Sequence, residues 1–280
     1  MTGTFDDNGG NDTIKLNVEG ASVNIRTVVM TDVDNISLAN DAGATMTIAQ
    51  HAKLNAAAGT NTITLFDAGT LTGDANVEAY VLAAGAQTFT LGAAGQSVTA
   101  DGTGGNGEIQ IDTDTLTSIT GTFDDNGGND TIFLNVETNA NISTANTTDV
   151  DKISLADGVN VTMTVAQHAL LDAATGTNTI TLSNAGTLTG NANVETYVLA
   201  DGGGTTITIG ANGQNVTTGN GADTIDVGAR TATGTFTTSA TSTIKLSNNA
   251  NITSVNAEGN GAGTAFAANN LTLAGDTTTT

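Results

Sequence analysis

The acids are the chain's most chemically suggestive residues, and they recur at fixed places. A five-residue pattern (acid or amide, any residue, apolar, any residue, aliphatic) occurs as Asp12-Thr13-Ile14-Lys15-Leu16, Asp34-Asn35-Ile36-Ser37-Leu38, Asn61-Thr62-Ile63-Thr64-Leu65 and Glu78-Ala79-Tyr80-Val81-Leu82. Down the chain its first position holds Asp12, Asp34, Asn61, Glu78, Gly107, Asp130, Asp151, Asn178, Glu195, Asp223 and Ser242. Alternate residues of an extended segment share a face, so this position lies on the side of the aliphatics that follow it, at the edge of a turn. Carboxylates stacked one strand apart, about 4.8 Å, repel by roughly 1 kcal/mol even at the dielectric of water. A bound cation, a raised pKa or splaying into solvent would relieve that repulsion. Carboxylates, amide oxygens and backbone carbonyls together are the ligand chemistry of calcium. Asp32 with Asp34, and Asp149 with Asp151, sit in TDVD alternations that place two carboxylates on one face. They fit a second cation site or turn-capping aspartates at a strand start.

Other reactive side chains point less far. His51 and His168 recur in AQHA segments without a His or Cys companion for zinc, and read as packed or capping histidines. Tyr80 and Tyr197 occupy pattern centres and read as core fillers. Carboxylate dyads can cleave glycosidic bonds, but the acids recur in each copy, whereas an active site is usually unique, and aromatic platforms and bases are scarce. The outward Thr-x-Thr pairs are what any half-buried, Thr-rich strand presents.

These residues must be positioned by a nested repeat. Thr2–Ile14 is identical to Thr120–Ile132, Gly59–Leu65 to Gly176–Leu182, and TDVDNISLA at 31–39 returns as TDVDKISLA at 148–156. Within each long unit the pattern centres recur about every 23 residues, the length of one solenoid coil. Inward Ile and Leu alternate with outward Thr, Ser and Lys, which is strand chemistry, and Gly, Asn and Asp clusters supply the turns. The absence of Pro suits a stack in which most coils donate to their neighbours. The expected fold is an all-β, elongated, right-handed parallel β-solenoid, one continuous body over 1–280 with long units 2–119 and 120–232 and a partial third unit 233–280. Short helical insertions are expected near 48–58 and 165–175, closed by Gly59 and Gly176, and an extra strand at TFTLG and TITIG. Thr2–Phe5 recurs mid-chain as Thr120–Phe123, so the chain reads as an excerpt of a longer protein.

Charge narrows the partners. The formal net charge is −22, and the six bases do not cluster. Nucleic-acid binding needs grouped Lys and Arg to neutralise phosphates, and attraction to an anionic membrane surface needs the same, so neither is expected. No apolar run approaches membrane-spanning length. The lack of Cys excludes disulfides and thiolate metal sites and is compatible with an exterior location.

Gly9-Gly10-Asn11-Asp12-Thr13-Ile14, its copy Gly127–Ile132, and Gly219–Ile225 resemble the Gly- and Asp-rich nonapeptides of RTX calcium-binding β-rolls. The Thr-, Asn- and Ala-rich, Cys-free text is similar to bacterial surface-layer proteins and giant secreted adhesins. The resemblance implies calcium held between coils. Its best candidate set is Asp124, Asp125, Asn129 and Asp130, with Glu108 one coil earlier in Gly104–Glu108. Asp6, Asp7, Asn11 and Asp12 form the first copy, and Asp223 a third site. The nonapeptides are isolated rather than tandem, and the third long unit replaces the acidic loop with Thr237–Ser242 (TTSATS), so the fold does not depend on those acids. The implied role is non-catalytic: a calcium-stiffened structural or adhesive repeat at a bacterial surface, associating with copies of itself, neighbouring surface-protein copies or cell-surface polysaccharide. A self-assembling filament subunit and a polysaccharide-acting enzyme are the alternatives.

Overall fold

Each inward residue of the alternating segments finds the inward residue of the next coil directly beside it. A computed structural model describes residues 2–5, 13–102, 107–239, 241–246, 251–252 and 270–273. Asp6, Asp7, Asn11, Asp12, Gly104–Asn106 and most of 247–280 lie outside the described residues. The chain is all-β, with parallel strands stacked as a β-solenoid of about 12 turns and almost no helix. By internal contacts it forms two compact units, Met1–Asn135 with Thr144–Lys152, and Val136–Ser143 with Ile153–Thr280. The first unit therefore includes the opening coil of the second sequence repeat.

In the first unit a six-stranded parallel sheet runs through Val23–Asn24, Gly43–Met46, Thr62–Leu65, Ala79–Val81, Ser97–Thr99 and Phe123–Asp124. Its register stacks Val23, Ala44, Ile63, Tyr80, Val98 and Phe123 in one inward column. The outward column beside it is Asn24, Thr45, Thr64, Val81, Thr99 and Asp124. A second wall pairs Thr70–Thr72, Gln87–Thr90, Glu108–Asp112 and Thr131–Val136, stacking Leu71, Phe89, Ile111 and Leu134. A third joins Ile14–Val18, Val33–Leu38 and Leu54–Ala56.

The second unit repeats the plan. Ala140, Val161, Ile180, Tyr197, Val216 and Phe236 form its inward column, matching the order in the first. Tyr80, Tyr197, Phe89, Phe123 and Phe236 are fully buried, so each coil carries a thin slice of core against its neighbours. The extra strands expected at TFTLG and TITIG are present as Gln87–Thr90 and Thr206–Thr208.

The helical insertions are single turns, α1 (Ile48–His51) and α2 (Val165–His168). Each starts on a reciprocal capping box, Thr47 with Gln50 and Thr164 with Gln167. They are shorter than the sequence suggested because the chain returns to strand at Leu54–Ala56 and Leu171–Ala174, where pairing with Ile36 and Ile153 ends the helix. Gly59 (φ 78°) and Gly176 (φ 72°) therefore close those strands and not the helices. A Cβ at either would overlap the side chain of Asn40 or Asp157 one coil earlier.

Candidate functional site

Asp124 ends the last strand of the six-stranded sheet, and the chain then turns sharply. Asp124 Oδ1 accepts from Asn126 N at 2.7 Å and Asp125 Oδ1 from Gly127 N at 2.9 Å. The left-handed backbone at Asn126 (φ 55°) and Gly127 (φ 71°) makes this turn, which the Asn-Gly sequence favours. These bonds fix both side chains at the turn and use one oxygen of each. The next coil brings Asp149 over the turn, and one carboxylate oxygen from each of Asp124, Asp125 and Asp149 lies within 4.8 Å of the others. Asp124 and Asp125 are half-buried, and Asp149 is exposed. Partial loss of hydration, and then the negative charges of Asp124, Asp125 and Asp151, raise the Asp149 carboxyl above the ordinary carboxylate range. Three hard oxygens so grouped could supply part of the ligand set of a cation such as calcium.

The other candidate ligands are placed elsewhere. Asp130 is buried, and its Oδ1 accepts from Gly107 N, one coil earlier, at 2.8 Å. Glu108 is exposed and accepts from Gln110 Nε2 at 2.9 Å, and Asn129 is exposed. Asp223 is buried and accepts from Thr205 N at 2.7 Å and Gly219 N at 2.9 Å. Its carboxyl is raised chiefly by burial, against the lowering effect of those two bonds. Asp151 Oδ2 accepts from Ile132 N, and Asp34 Oδ2 from Ile14 N, each at 2.8 Å. Asp34 lies opposite a shift in register between Ile14 and Lys15, which turns it outward while its oxygen reaches back along the stack. Asp32 is half-buried and stands apart from the three-carboxylate cluster.

A rule emerges for the column of acids and amides. Glu78 accepts from Asn61 N at 2.7 Å, Glu195 from Asn178 N at 2.8 Å, and Asn178 Oδ1 from Val159 N at 3.1 Å. Each of these side chains accepts from a backbone N–H of the preceding coil; Asn61 departs from the rule, its Nδ2 donating to Ala39 O at 2.8 Å. The repulsion read from the sequence is met largely by backbone donors, an outcome that local spacing did not reveal.

Sequence reasoning also passed over the glutamines. Gln96 Nε2 donates to Asp74 O at 2.6 Å and Val77 O at 2.9 Å, while Oε1 accepts from Gly92 N at 2.7 Å. Gln214 repeats this with Asn191 O, Val194 O and Gly210 N. Gln50 donates to Ile25 O and Val28 O, and Gln167 to Ile142 O. All four glutamines are buried. Their recurrence in the AQH segments and in GQSVT at 95–99 and GQNVT at 213–217 was the available signal.

The histidines are packed. His51 Nε2 lies 3.0 Å from the Tyr80 hydroxyl, and His168 Nε2 lies 3.0 Å from that of Tyr197. Tyr80 accepts from Asp74 N and Tyr197 from Asn191 N, each at 2.7 Å. Each hydroxyl can then donate its proton to the Nε2 of a neutral imidazole protonated on Nδ1. Burial lowers the pKa of both histidines, and Asp74 partly offsets this at His51. Burial raises both tyrosines far above their ordinary value.

Two clefts lie among the described residues. One of about 460 Å³ is lined by α2, Leu171, Leu188 and Asn191, with His168 its titratable group. Another of about 310 Å³ is lined by Thr70, Gln87, Thr88 and Gln110, with Glu108 its carboxylate. Neither lining contains the carboxylate pair that glycoside cleavage requires. No protein-family model, curated protein or solved structure matches this chain.

Proposed function

We propose that this chain is a non-catalytic structural repeat of an extracellular bacterial surface protein, serving in a surface layer, a sheath or an adhesin stalk. One observation carries this reading. Recurring polar side chains are tied, in the same way in both long repeats, to the coil beside them: Glu78 and Glu195 to backbone N–H groups, glutamines to turn carbonyls, histidines to buried tyrosines. Duplicated ties brace one coil against the next, whereas a reaction centre needs groups left free to meet a substrate.

In this proposal calcium is the stiffening ion, held by Asp124, Asp125 and Asp149 with water completing its shell. It would cancel the mutual repulsion of the three carboxylates and pin the turn after Asp124 to the coil that carries Asp149. Folding would then follow delivery into a calcium-rich medium. The test is thermal unfolding with calcium and with a chelator, on the wild-type chain and on Asp124→Asn/Asp149→Asn. Calcium is expected to raise the wild-type midpoint and leave the variant where it was. An unchanged wild-type midpoint would reject the calcium assignment, and turnover of a polysaccharide that one acid substitution abolishes would reject the non-catalytic role.

A further inference from the structure

Val29 and Phe66 are the two large apolar side chains exposed among the described residues, at 46% and 53%. The exposed Arg26 guanidinium lies over the Phe66 ring, 4.3 Å from its centroid. Arg26 follows the strand Val23–Asn24 and Phe66 follows Thr62–Leu65, so both stand on the margin where strands of the six-stranded sheet end. Ile25 N bonds to Thr45 O and Phe66 N to Met46 O, which keeps this margin in register. An Arg stacked on an aromatic ring is rigid at little further entropic cost, which suits it to bind a carboxylate.

The second long repeat supplies an internal control. In register with Arg26, Val29 and Phe66 it has Ser143, Asn146 and Ser183, and the text around Phe66 is otherwise nearly identical to that around Ser183. The basic and apolar residues change together, and the stack is built equally well without them. Packing therefore does not require this patch.

The same margin ends in Asp124 and Asp125 with Asp149 beside them, and between the two ends lie the half-buried Ala83 and Asp101. The strands carrying Arg26 and Asp124 are the two outermost of six, so five strand spacings, about 24 Å, separate the basic and acidic ends. We propose that this margin is a self-docking surface: two copies lie side by side and antiparallel, Arg26 of each against Asp124, Asp125 and Asp149 of the other, and Phe66 of each against Ala83 of the other. A two-fold axis near Ala83 satisfies both ends at once, because a surface with opposite charges at its two ends is self-complementary under such an axis. Charge complementarity selects a second copy as the occupant: the partner of Arg26 must be acidic, and the matching acidic group sits on the same margin.

The test is sedimentation equilibrium of the full chain in chelator, so that its outcome is independent of the calcium proposal. Moderate salt screens the long-range repulsion between two chains of charge −22 while leaving contact pairs in place. The wild type is expected to dimerise. Arg26→Ser/Phe66→Ser, which installs the second repeat's own residues, is expected to raise the dissociation constant at least about tenfold with an unchanged circular dichroism spectrum. Arg26→Asp and Asp124→Lys/Asp149→Lys should each lose self-association and regain it when mixed. A wild type that stays monomeric would overturn the proposal, including one that binds an anionic polysaccharide through Arg26 instead. So would an Arg26→Ser/Phe66→Ser variant that dimerises like the wild type.

Discussion

Replacing Gln96 with Met removes one tie between coils while keeping most of the side chain's volume. Gln96 is 1% exposed and bonds to Asp74 O, Val77 O and Gly92 N. Asp74 O keeps a second partner, Val77 N at 3.0 Å, so the groups stranded by the change are Val77 O and Gly92 N–H. A buried polar group left without its partner costs about 1–3 kcal/mol, so two bound the loss at roughly 2–6 kcal/mol. Gly92 is half-buried, so water reaches its N–H more readily than Val77 O, which places the expected loss at about 3 kcal/mol. Gln110→Met is the control, because Gln110 is on an outward-facing position of its strand and bonds to exposed Glu108. It should change stability by no more than about 0.5 kcal/mol. Denaturant unfolding gives the two numbers, and hydrogen exchange shows whether the Gly92 amide loses protection. A loss below about 1 kcal/mol for Gln96→Met would refute the inference that the buried glutamines carry the corners.

Two further outcomes follow from the same ties. His51 and His168 have folded-state pKa values below that of an unfolded histidine, so the unfolded chain binds protons more readily. Their stabilisation is full above about pH 6.5 and declines as pH falls through that value towards the folded pKa. The unfolding midpoint should drop between about pH 7 and pH 5, and His51→Gln/His168→Gln should flatten that drop; identical profiles would contradict the His–Tyr account. Gly210→Ala would place a Cβ 1.8 Å from Gly190 O, in the backbone of the preceding coil, whereas a Cβ at Gly213 meets nothing within 4 Å. Gly210→Ala is expected to cost about 3 kcal/mol or more and Gly213→Ala about 0.5 kcal/mol or less, measured by denaturant unfolding.

Alternation made the solenoid legible. Ile63, Tyr80, Ile180 and Tyr197 were read as inward centres, and each is fully buried in the predicted strand. The acid column was legible as a column, because a period of two also fixes the side on which Asp130 and Asp223 fall. Its partners were not, since the donors lie on another coil about 20 residues earlier. The acidic turn was half legible. Asp124 and Asp125 are adjacent in sequence, but Asp149 joins them through coil-to-coil register, and Asp130 leaves the group by turning inward to Gly107. Buried glutamines look like surface glutamines until the carbonyls of a neighbouring turn are placed against them. The Arg26–Phe66 stack spans two strands 40 residues apart, with another coil's strand between them, a separation that no local pattern encodes.

The central claim is that the acids serve to join coils, and amide hydrogen exchange tests it most directly. The N–H groups of Asn61, Gly107, Ile132, Asn178 and Thr205 each donate to a carboxylate on the following coil. They should exchange as slowly as ladder amides such as Ile63, and Asp130→Ala and Asp223→Ala should release Gly107 and Thr205 respectively. If these amides exchange instead as fast as the amide of Gly213 in an exposed turn, the acids do not bind the coils together and the structural reading fails.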